Sequence, residues 1–375
     1  MVKKKVHLVY AGLLAALPGI AFALDGVELD GFLTVGATLS DANIDSQDGF
    51  VTDNLGFEKD TRVGLQVSAE VNEQINLTAQ LLGRARENNY NAFFDWGFVD
   101  YRFNDNFTLR AGKLKFPTFL ISDYYEVGYA YPWIRPPEEV YVNNPISTLS
   151  GVDLLSRYSF QEVELLVQPY VGTSTGASAL IPQESLAGAG LPAGTVAFTD
   201  FQAENLMGIN TSLTWEKVTV RAGYLQTDVS VDAFAVTEDK AQFSSVGATV
   251  DWNNVVVYSE YAKRDVDGKA NSAFPNQEGW YTTFGYRFGQ FLPHLTYAKL
   301  DDADNPTAPA SCGGVTCGTP LQQDSVTAGL RVELGDGAAL KMEVQNVDPE
   351  TGTRGLFISD PGDANIYSLA IDVVF

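Results

Sequence analysis

The last eleven residues, NIYSLAIDVVF (365–375), decide how the rest of the chain reads. Tyr367, Leu369, Ile371, Val373 and Phe375 alternate with Ser368, Ala370, Asp372 and Val374. Successive side chains of a β-strand point to opposite faces, so the segment presents one apolar face and one mixed face. The same period runs through Val63, Leu65, Val67, Ala69 and Val71 against Arg62, Gly64, Gln66, Ser68 and Glu70. Past the first two dozen residues, helical periodicity is nearly absent.

Extended along the chain, the pattern predicts sixteen strands. They fall at 27–39, 60–72, 75–87, 93–103, 107–116, 151–160, 163–172 and 204–215. The second eight fall at 218–227, 242–252, 255–264, 279–289, 291–300, 323–334, 338–347 and 365–375. Turn-forming pairs and triplets such as Asn104-Asp105-Asn106, Asn253-Asn254 and Gly335-Asp336-Gly337 join neighbours as hairpins. Between them lie long connections, at 40–59, 117–150, 173–203, 228–241, 265–278, 301–322 and 348–364, while the 88–92 link is short. A soluble sandwich has turns of mixed length. An even strand number, short turns at one end and long loops at the other describe an all-β transmembrane antiparallel barrel with short periplasmic turns and long extracellular loops. Sixteen strands enclose more space than side chains can fill, so a water-filled lumen is expected.

Composition agrees. The chain has 375 residues, with 47 Asp plus Glu against 24 Lys plus Arg, a charge of −23 that leaves no broad basic surface for nucleic acid. Hydrophobic residues make up 45 %, too many for a disordered chain. The mean hydropathy of −0.05 is what alternating strands give even in a membrane. After the N-terminus no apolar run approaches twenty residues, which excludes a helical membrane protein. Lys3, Lys4 and Lys5, an apolar stretch from Val6 to Phe22 and the small residues Ala21 and Ala23 read as a secretory signal at 1–23. The mature chain, 24–375, is then one barrel domain with 21 basic against 47 acidic residues, a charge of −26.

Parity assigns the outward face to Leu77, Ala79 and Leu81, to Val99, Tyr101 and Phe103, and to Val218, Val220, Ala222 and Tyr224. Trp280, Phe284, Tyr286 and Phe288 share it, as do Val326, Ala328, Leu330 and Val332. Phe103, Phe160, Trp215, Trp252, Phe288 and Phe375 fall near strand ends, where aromatic girdles meet the membrane boundaries. The terminal Phe375 with its alternating apolar residues, and the stretch FVDYRFNDNFTLRAGKLKFP (98–117), carry a family likeness. The chain resembles Gram-negative outer-membrane porins, general and phosphate-selective. That resemblance implies a sixteen-stranded pore in the outer membrane, usually a homotrimer, with Phe375 as the signal read by the barrel-assembly machinery. It leaves the solute open.

Parity also turns Arg62, Arg84, Arg86, Lys113, Lys115 and Arg157 inward, mostly on neighbouring strands of the first half. Arg221, Arg287 and Arg331 face inward on the other side. A charge on the lipid face would cost about 2–4 kcal/mol at mid-membrane, which favours the lumen. The first set is either a basic ladder down one wall or a group of ordinary lumen charges paired with residues such as Glu70 and Asp100. The longest connection, PTFLISDYYEVGYAYPWIRPPEEVYVNNPISTLS (117–150), is dense in Tyr, Trp and Pro and needs something to pack against. It is the third on the long side, and in porins the third loop folds inward and narrows the pore. By that resemblance Asp123, Glu126, Glu138 and Glu139 face the basic wall, with Tyr124, Tyr125, Tyr129, Tyr131 and Trp133 shaping the opening. Opposed charges there would set up a transverse field that penalises apolar solutes. The alternative is a loop that caps the outer mouth or touches a neighbouring subunit. The expected constriction is Arg84, Lys113 and Lys115 with Glu126.

Cys312 and Cys317 in SCGGVTCG read as a small loop disulfide of an oxidising compartment. The acidic runs at 301–305 and 360–365 lack a calcium loop's distal glutamate and read as solvated loops, bridged to lipopolysaccharide by divalent cations. His294 is the one histidine of the mature chain and no serine motif accompanies it, so neither an enzyme, a resident metal nor a cofactor is expected. The reading is a channel for passive diffusion of small hydrophilic solutes and ions, in contact with outer-membrane lipid and lipopolysaccharide. Alternatives are a solute-specific porin for phosphate or small carboxylates, and a non-channel adhesin or structural barrel.

Overall fold

Alternating segments of this kind satisfy their backbone groups only by pairing with neighbours, and closure removes the last free edges. In the computed structural model the described residues are 26–42, 45–46, 48–86, 89–181, 186, 190, 195, 197–302, 311–312, 315–316, 321–351, 353–359 and 361–375. The first eight strands are β1 (Val27–Ser40), β2 (Arg62–Asn72), β3 (Ile75–Arg86), β4 (Asn89–Arg102), β5 (Phe107–Lys115), β6 (Thr148–Phe160), β7 (Val163–Leu180) and β8 (Phe198–Trp215). Then come β9 (Val218–Val231), β10 (Val236–Trp252), β11 (Val255–Val266), β12 (Gln277–Tyr286) and β13 (Phe291–Asp302). The last are β14 (Ser311–Cys312), β15 (Val315–Thr316), β16 (Gln323–Gly335), β17 (Ala338–Pro349) and β18 (Ala364–Val374).

Strands β14 and β15 form a separate two-stranded ribbon, and the other sixteen close into an antiparallel barrel in chain order. Closure joins β1 to β18, with Phe32 opposite Val374 and the Gly31 N–H donating to Phe375 O at 2.8 Å. The sixteen expected strands are therefore present. Their upper ends differ from the sequence reading: β7, β8 and β10 run well past the boundaries expected for them. Stretches such as Thr173-Ser174-Thr175 have loop composition, yet the ladder continues through them with small shifts of register. Strand β3 ends at Arg86 and β4 starts at Asn89, inside the link expected at 88–92. Residues 1–23, the proposed signal, lie outside the described residues, as does Cys317; of Cys312 only the backbone is described, opposite Val315.

Outside, Leu77, Leu81, Val99, Tyr101, Val220, Tyr224, Trp280, Phe284 and Val326 are exposed. Val332 is covered, although its register opposite Phe291 turns it outward. Phe103, Phe160, Trp215, Trp252, Phe288 and Phe375 are also exposed, all beside the short turns or the closing C-terminus. They mark one girdle.

Inside, the barrel has two unlike halves. From β8 to β11 the inward positions carry a large apolar cluster, with Phe201, Ala203, Leu206, Leu225, Val229, Val231, Phe243, Ala262 and Val266, interspersed with buried Asn210, Arg221, Thr227, Ser245, Glu260 and Arg264. In β8 the register shifts between Glu204 and Met207, around Asn205 in the left-handed region (φ 49°). This bulge resets the parity, so that Phe201 and Ala203 point inward along with Leu206. Around β1–β3 and β16–β18 the buried inward positions mix polar residues, among them Thr34, Thr38, Arg62, Gln80, Arg331, Lys341 and Asp372, with smaller apolar ones such as Ala339, Ala364, Ile366 and Ala370. The expectation of a lumen too wide to fill therefore needs correction on the apolar side, where loop segments cover the wall.

Candidate channel constriction

Strand β5 ends at Lys115, and the chain from Phe116 to Ser147 turns into the barrel before β6 begins. Its aromatic density now has a cause. Trp133 is fully buried, and its indole N–H donates to Thr283 Oγ1 at 2.9 Å and Thr296 Oγ1 at 3.1 Å on the far wall. The Trp133 ring meets Tyr258 at 4.8 Å and Tyr281 at 5.5 Å, both edge-on. Phe119 meets Phe243 at 5.2 Å and Tyr141 at 4.6 Å. Burial of several large rings is the main force holding the loop to the β10–β13 wall.

A loop inside a barrel must still satisfy its backbone. Wall side chains do this. Lys341 Nζ donates to Gly128 O and Trp133 O, both at 2.6 Å, and pairs with Asp372 at 2.9 Å. Arg331 donates to Tyr129 O at 2.6 Å and Tyr131 O at 3.0 Å. Arg62 donates to Glu126 O at 2.8 Å and to the Tyr131 hydroxyl at 2.6 Å. Loop N–H groups find wall carboxylates: Leu120 N donates to Glu260 at 2.6 Å and Ile134 N to Glu343 at 2.8 Å. At Gly128 the approach is so close that a Cβ would sit 2.2 Å from Asp372 Oδ1.

The residues expected at the constriction are dispersed along this loop and its walls. Arg84 Nη1 lies 3.0 Å from Glu126 Oε1, and Arg62 Nε lies 4.0 Å from Glu126 Oε2. Burial alone would raise the Glu126 carboxyl, but Arg84, Lys115 and Arg62 outweigh it and hold the group below its ordinary value. Asp123 faces the other side, paired with Arg221 at 2.8 Å; burial is again outweighed, chiefly by Arg221, and its carboxyl is lowered. Glu138 meets Lys59 at 2.7 Å. Glu139 is fully buried against β16, accepting from Gln323 Nε2 at 2.7 Å, and burial raises its carboxyl. Asp123 and Glu139 thus do not face the first-half basic wall, because the loop crosses the whole barrel.

The inward assignment of Lys113 and Lys115 needs correction. Register sets Lys113 opposite Gly97 and Ser150, on the outward row with Leu109 and Ala111. Pairing of β4 with β5 stops there, so Asn89–Trp96 of β4 has no partner strand on that side among the described residues. Both lysines turn towards this slot: Lys113 Nζ donates to Phe94 O at 2.8 Å, and Lys115 Nζ reaches Asp95 at 3.3 Å. Arg157 is exposed three residues from the short turn. The backbone of Arg86 lies at the upper end of β3, and its side chain lies outside the described residues. Arg221 and Arg331 are buried inward as expected, whereas Arg287 pairs with Asp251 at the short-turn end. Sequence reasoning passed over Lys59, Arg135, Arg110 and Lys341. Lys341 was legible, since Ala339, Lys341 and Glu343 share the buried parity of β17 while Met342 and Val344 are exposed. Arg135, which bonds Asp60, Thr38 and Ser368, lies in irregular chain where parity gives no direction.

Open space remains on the side of β2–β7. A cavity of about 420 Å³ is bordered by Arg62, Arg84, Phe93, Asp95 and Lys113 on the wall and by Tyr125, Glu126, Arg135 and Glu138 on the loop. A second, of about 170 Å³, shares Arg84, Tyr125 and Glu126 with it and reaches Lys115, Phe119 and Asn144.

Comparison with known proteins follows this geometry. A family model described as Gram-negative porin matches residues 11–352. Among solved structures, an anion-selective porin from Comamonas acidovorans is 12% identical, with a TM-score of 0.58 over 93% of this chain and 99% of that one. OmpF of Salmonella typhi, in complex with daunomycin, is 12% identical, with a TM-score of 0.57 over 93% of this chain and 97% of its own. The trimer form of OmpT, an outer membrane protein of Vibrio cholerae, is 11% identical, with a TM-score of 0.54 over 94% of this chain and 100% of its own. No curated protein matches the chain.

Proposed function

The chain belongs to the Gram-negative porin family and forms a channel of the outer membrane, and on that premise we propose the route and the rule by which it admits solutes. Small hydrophilic solutes and ions diffuse passively along the β2–β7 side of the barrel, past the pair Arg84 and Glu126. One observation carries this reading: the inner face of β8–β11 is covered, by an apolar cluster and by Arg221, Ser245, Glu260 and Arg264 bonded to the inserted loop, whereas the cavities bordered by Arg84 and Glu126 lie between the loop and the opposite wall. Arg62, Arg84 and Lys115 against Glu126, with Glu138 above, form the charged narrowing, and Asp123 and Glu139 serve as anchors of the loop. Lys113 guards the slot beside β4.

Charges of both signs across a narrow, low-dielectric passage favour ions and polar solutes over apolar ones. The family is one of channels rather than enzymes. Export by a cleaved segment 1–23, assembly through Phe375, a Cys312–Cys317 disulfide, lipopolysaccharide at the outer rim and a homotrimer complete the proposal. A trimeric form among structures of the same fold supports the last of these. The test is the zero-current potential across a planar bilayer under a salt gradient. Neutralising Arg84, Lys113 and Lys115 together moves it towards cation preference, by about tens of millivolts if these charges set the local field. An unchanged potential contradicts the assignment.

A further inference from the structure

Most cations around the larger cavity are committed to the fold. Lys59 bridges Asp48 and Glu138, Arg62 holds the Glu126 carbonyl and the Tyr131 hydroxyl, and Arg135 holds Asp60, Thr38 and Ser368. Arg84 is different. Its side chain is 37% exposed, and among the described residues only Nη1 has a hydrogen-bonded partner, Glu126 Oε1 at 3.0 Å. Its guanidinium carbon lies 5.9 Å from the centre of the Phe93 ring. A guanidinium has five N–H donors in a planar fork, so Arg84 keeps an edge for a ligand while one face lies by an aromatic ring. Phe50, Phe93, Tyr125 and Phe198 border the same cavity, all half-buried.

Resting on the channel reading above, we propose that this cavity is a binding step for organic monoanions that carry a flat apolar ring, with aromatic carboxylates as the simplest members. The carboxylate takes the free edge of Arg84, as planar forks and carboxylates match in geometry. The ring lies among Phe93, Tyr125 and their aromatic neighbours, where offset or edge-on contacts are favourable. Three competing ligand classes fit less well. A phosphate dianion brings a second charge towards Glu126, already at the same guanidinium. An aromatic cation finds the carboxylates of Glu126, Asp95 and Glu138 already paired, with Arg84, Lys115 and Lys59. A small aliphatic acid reaches Arg84 but leaves the rings unused.

The experiment is single-channel recording in planar bilayers with benzoate, acetate, inorganic phosphate or benzylammonium added on one side. Benzoate interrupts the current in a saturable way, at a concentration about tenfold below that needed for acetate, a difference of about 1.4 kcal/mol. Phosphate and benzylammonium give no saturable block. Arg84→Gln loses the benzoate block, and Phe93→Leu weakens it towards the acetate value while leaving acetate unaffected. Equal block by benzoate and acetate, or benzoate block that survives Arg84→Gln, overturns the proposal. Should Arg84→Gln fail to assemble, Arg84→Lys serves, since it keeps the charge and loses the fork; undiminished benzoate affinity in it would equally overturn the assignment. A conducting wild-type channel that no anion interrupts refutes this step alone, whereas a barrel without conductance removes the channel reading and this step with it.

Discussion

Lys341 is nearly inaccessible, paired with Asp372 at 2.9 Å and donating to two loop carbonyls. Removing one partner of a buried pair leaves the other uncompensated, which typically costs about 3–5 kcal/mol. Lys341→Met should therefore lower stability to denaturant in detergent by that order, with Asp372→Asn much less damaging when both are changed together. A double-variant cycle that returns simple additivity would contradict the coupling. Glu139 presents the opposite sign. Its carboxyl is raised by burial, so the charged form is disfavoured in the folded protein and ionisation opposes folding at neutral pH. That cost is full above the raised value and disappears once pH falls below the ordinary carboxylate range. Glu139→Gln is then expected to raise the unfolding temperature at neutral pH, with the gain vanishing in acid. A gain that grows on acidification would reverse the argument.

At the scale of elements, the inserted segment from Phe116 to Ser147 behaves as a second core laid against the β10–β13 wall. Trp133 is its largest fully buried side chain, and large aromatic truncations in packed interiors cost about 3–5 kcal/mol. Trp133→Ala should release part of the loop and raise single-channel conductance and current noise; unchanged conductance would mean the loop does not limit the passage. The strands were legible because a two-residue period survives in sequence, as at Tyr367 to Phe375 and Val63 to Val71. Four things were not. Strand extensions at the loop ends, as in β7, carry Ser, Thr and Gly like any loop and differ only in that neighbours extend beside them. Parity breaks at bulges, so Phe201 and Ala203 change face without any change of composition. Lys113 and Lys115 kept their period, but the loss of pairing beyond Gly97 lets long side chains bend towards a slot. Within the inserted loop, aromatic density predicted packing but not which wall, because irregular chain has no period to read.

For the whole molecule, the formal charge of −23 hides a division of labour. Many inward cations act as hydrogen-bond donors that fasten the loop, and the open cavities lie to one side of the barrel axis, near Arg84 and Glu126. An off-centre passage is the central claim, and thiol chemistry tests it directly. Ser147 is exposed on the cavity wall, whereas Ser245 on the opposite wall is buried beneath Thr118. Each is replaced by cysteine in turn, in a background with Cys312 and Cys317 changed to serine. A charged, water-soluble thiol reagent should step the single-channel current down in Ser147→Cys and leave it unchanged in Ser245→Cys. A current that steps down in Ser245→Cys and not in Ser147→Cys would place the passage on the other side and contradict the account.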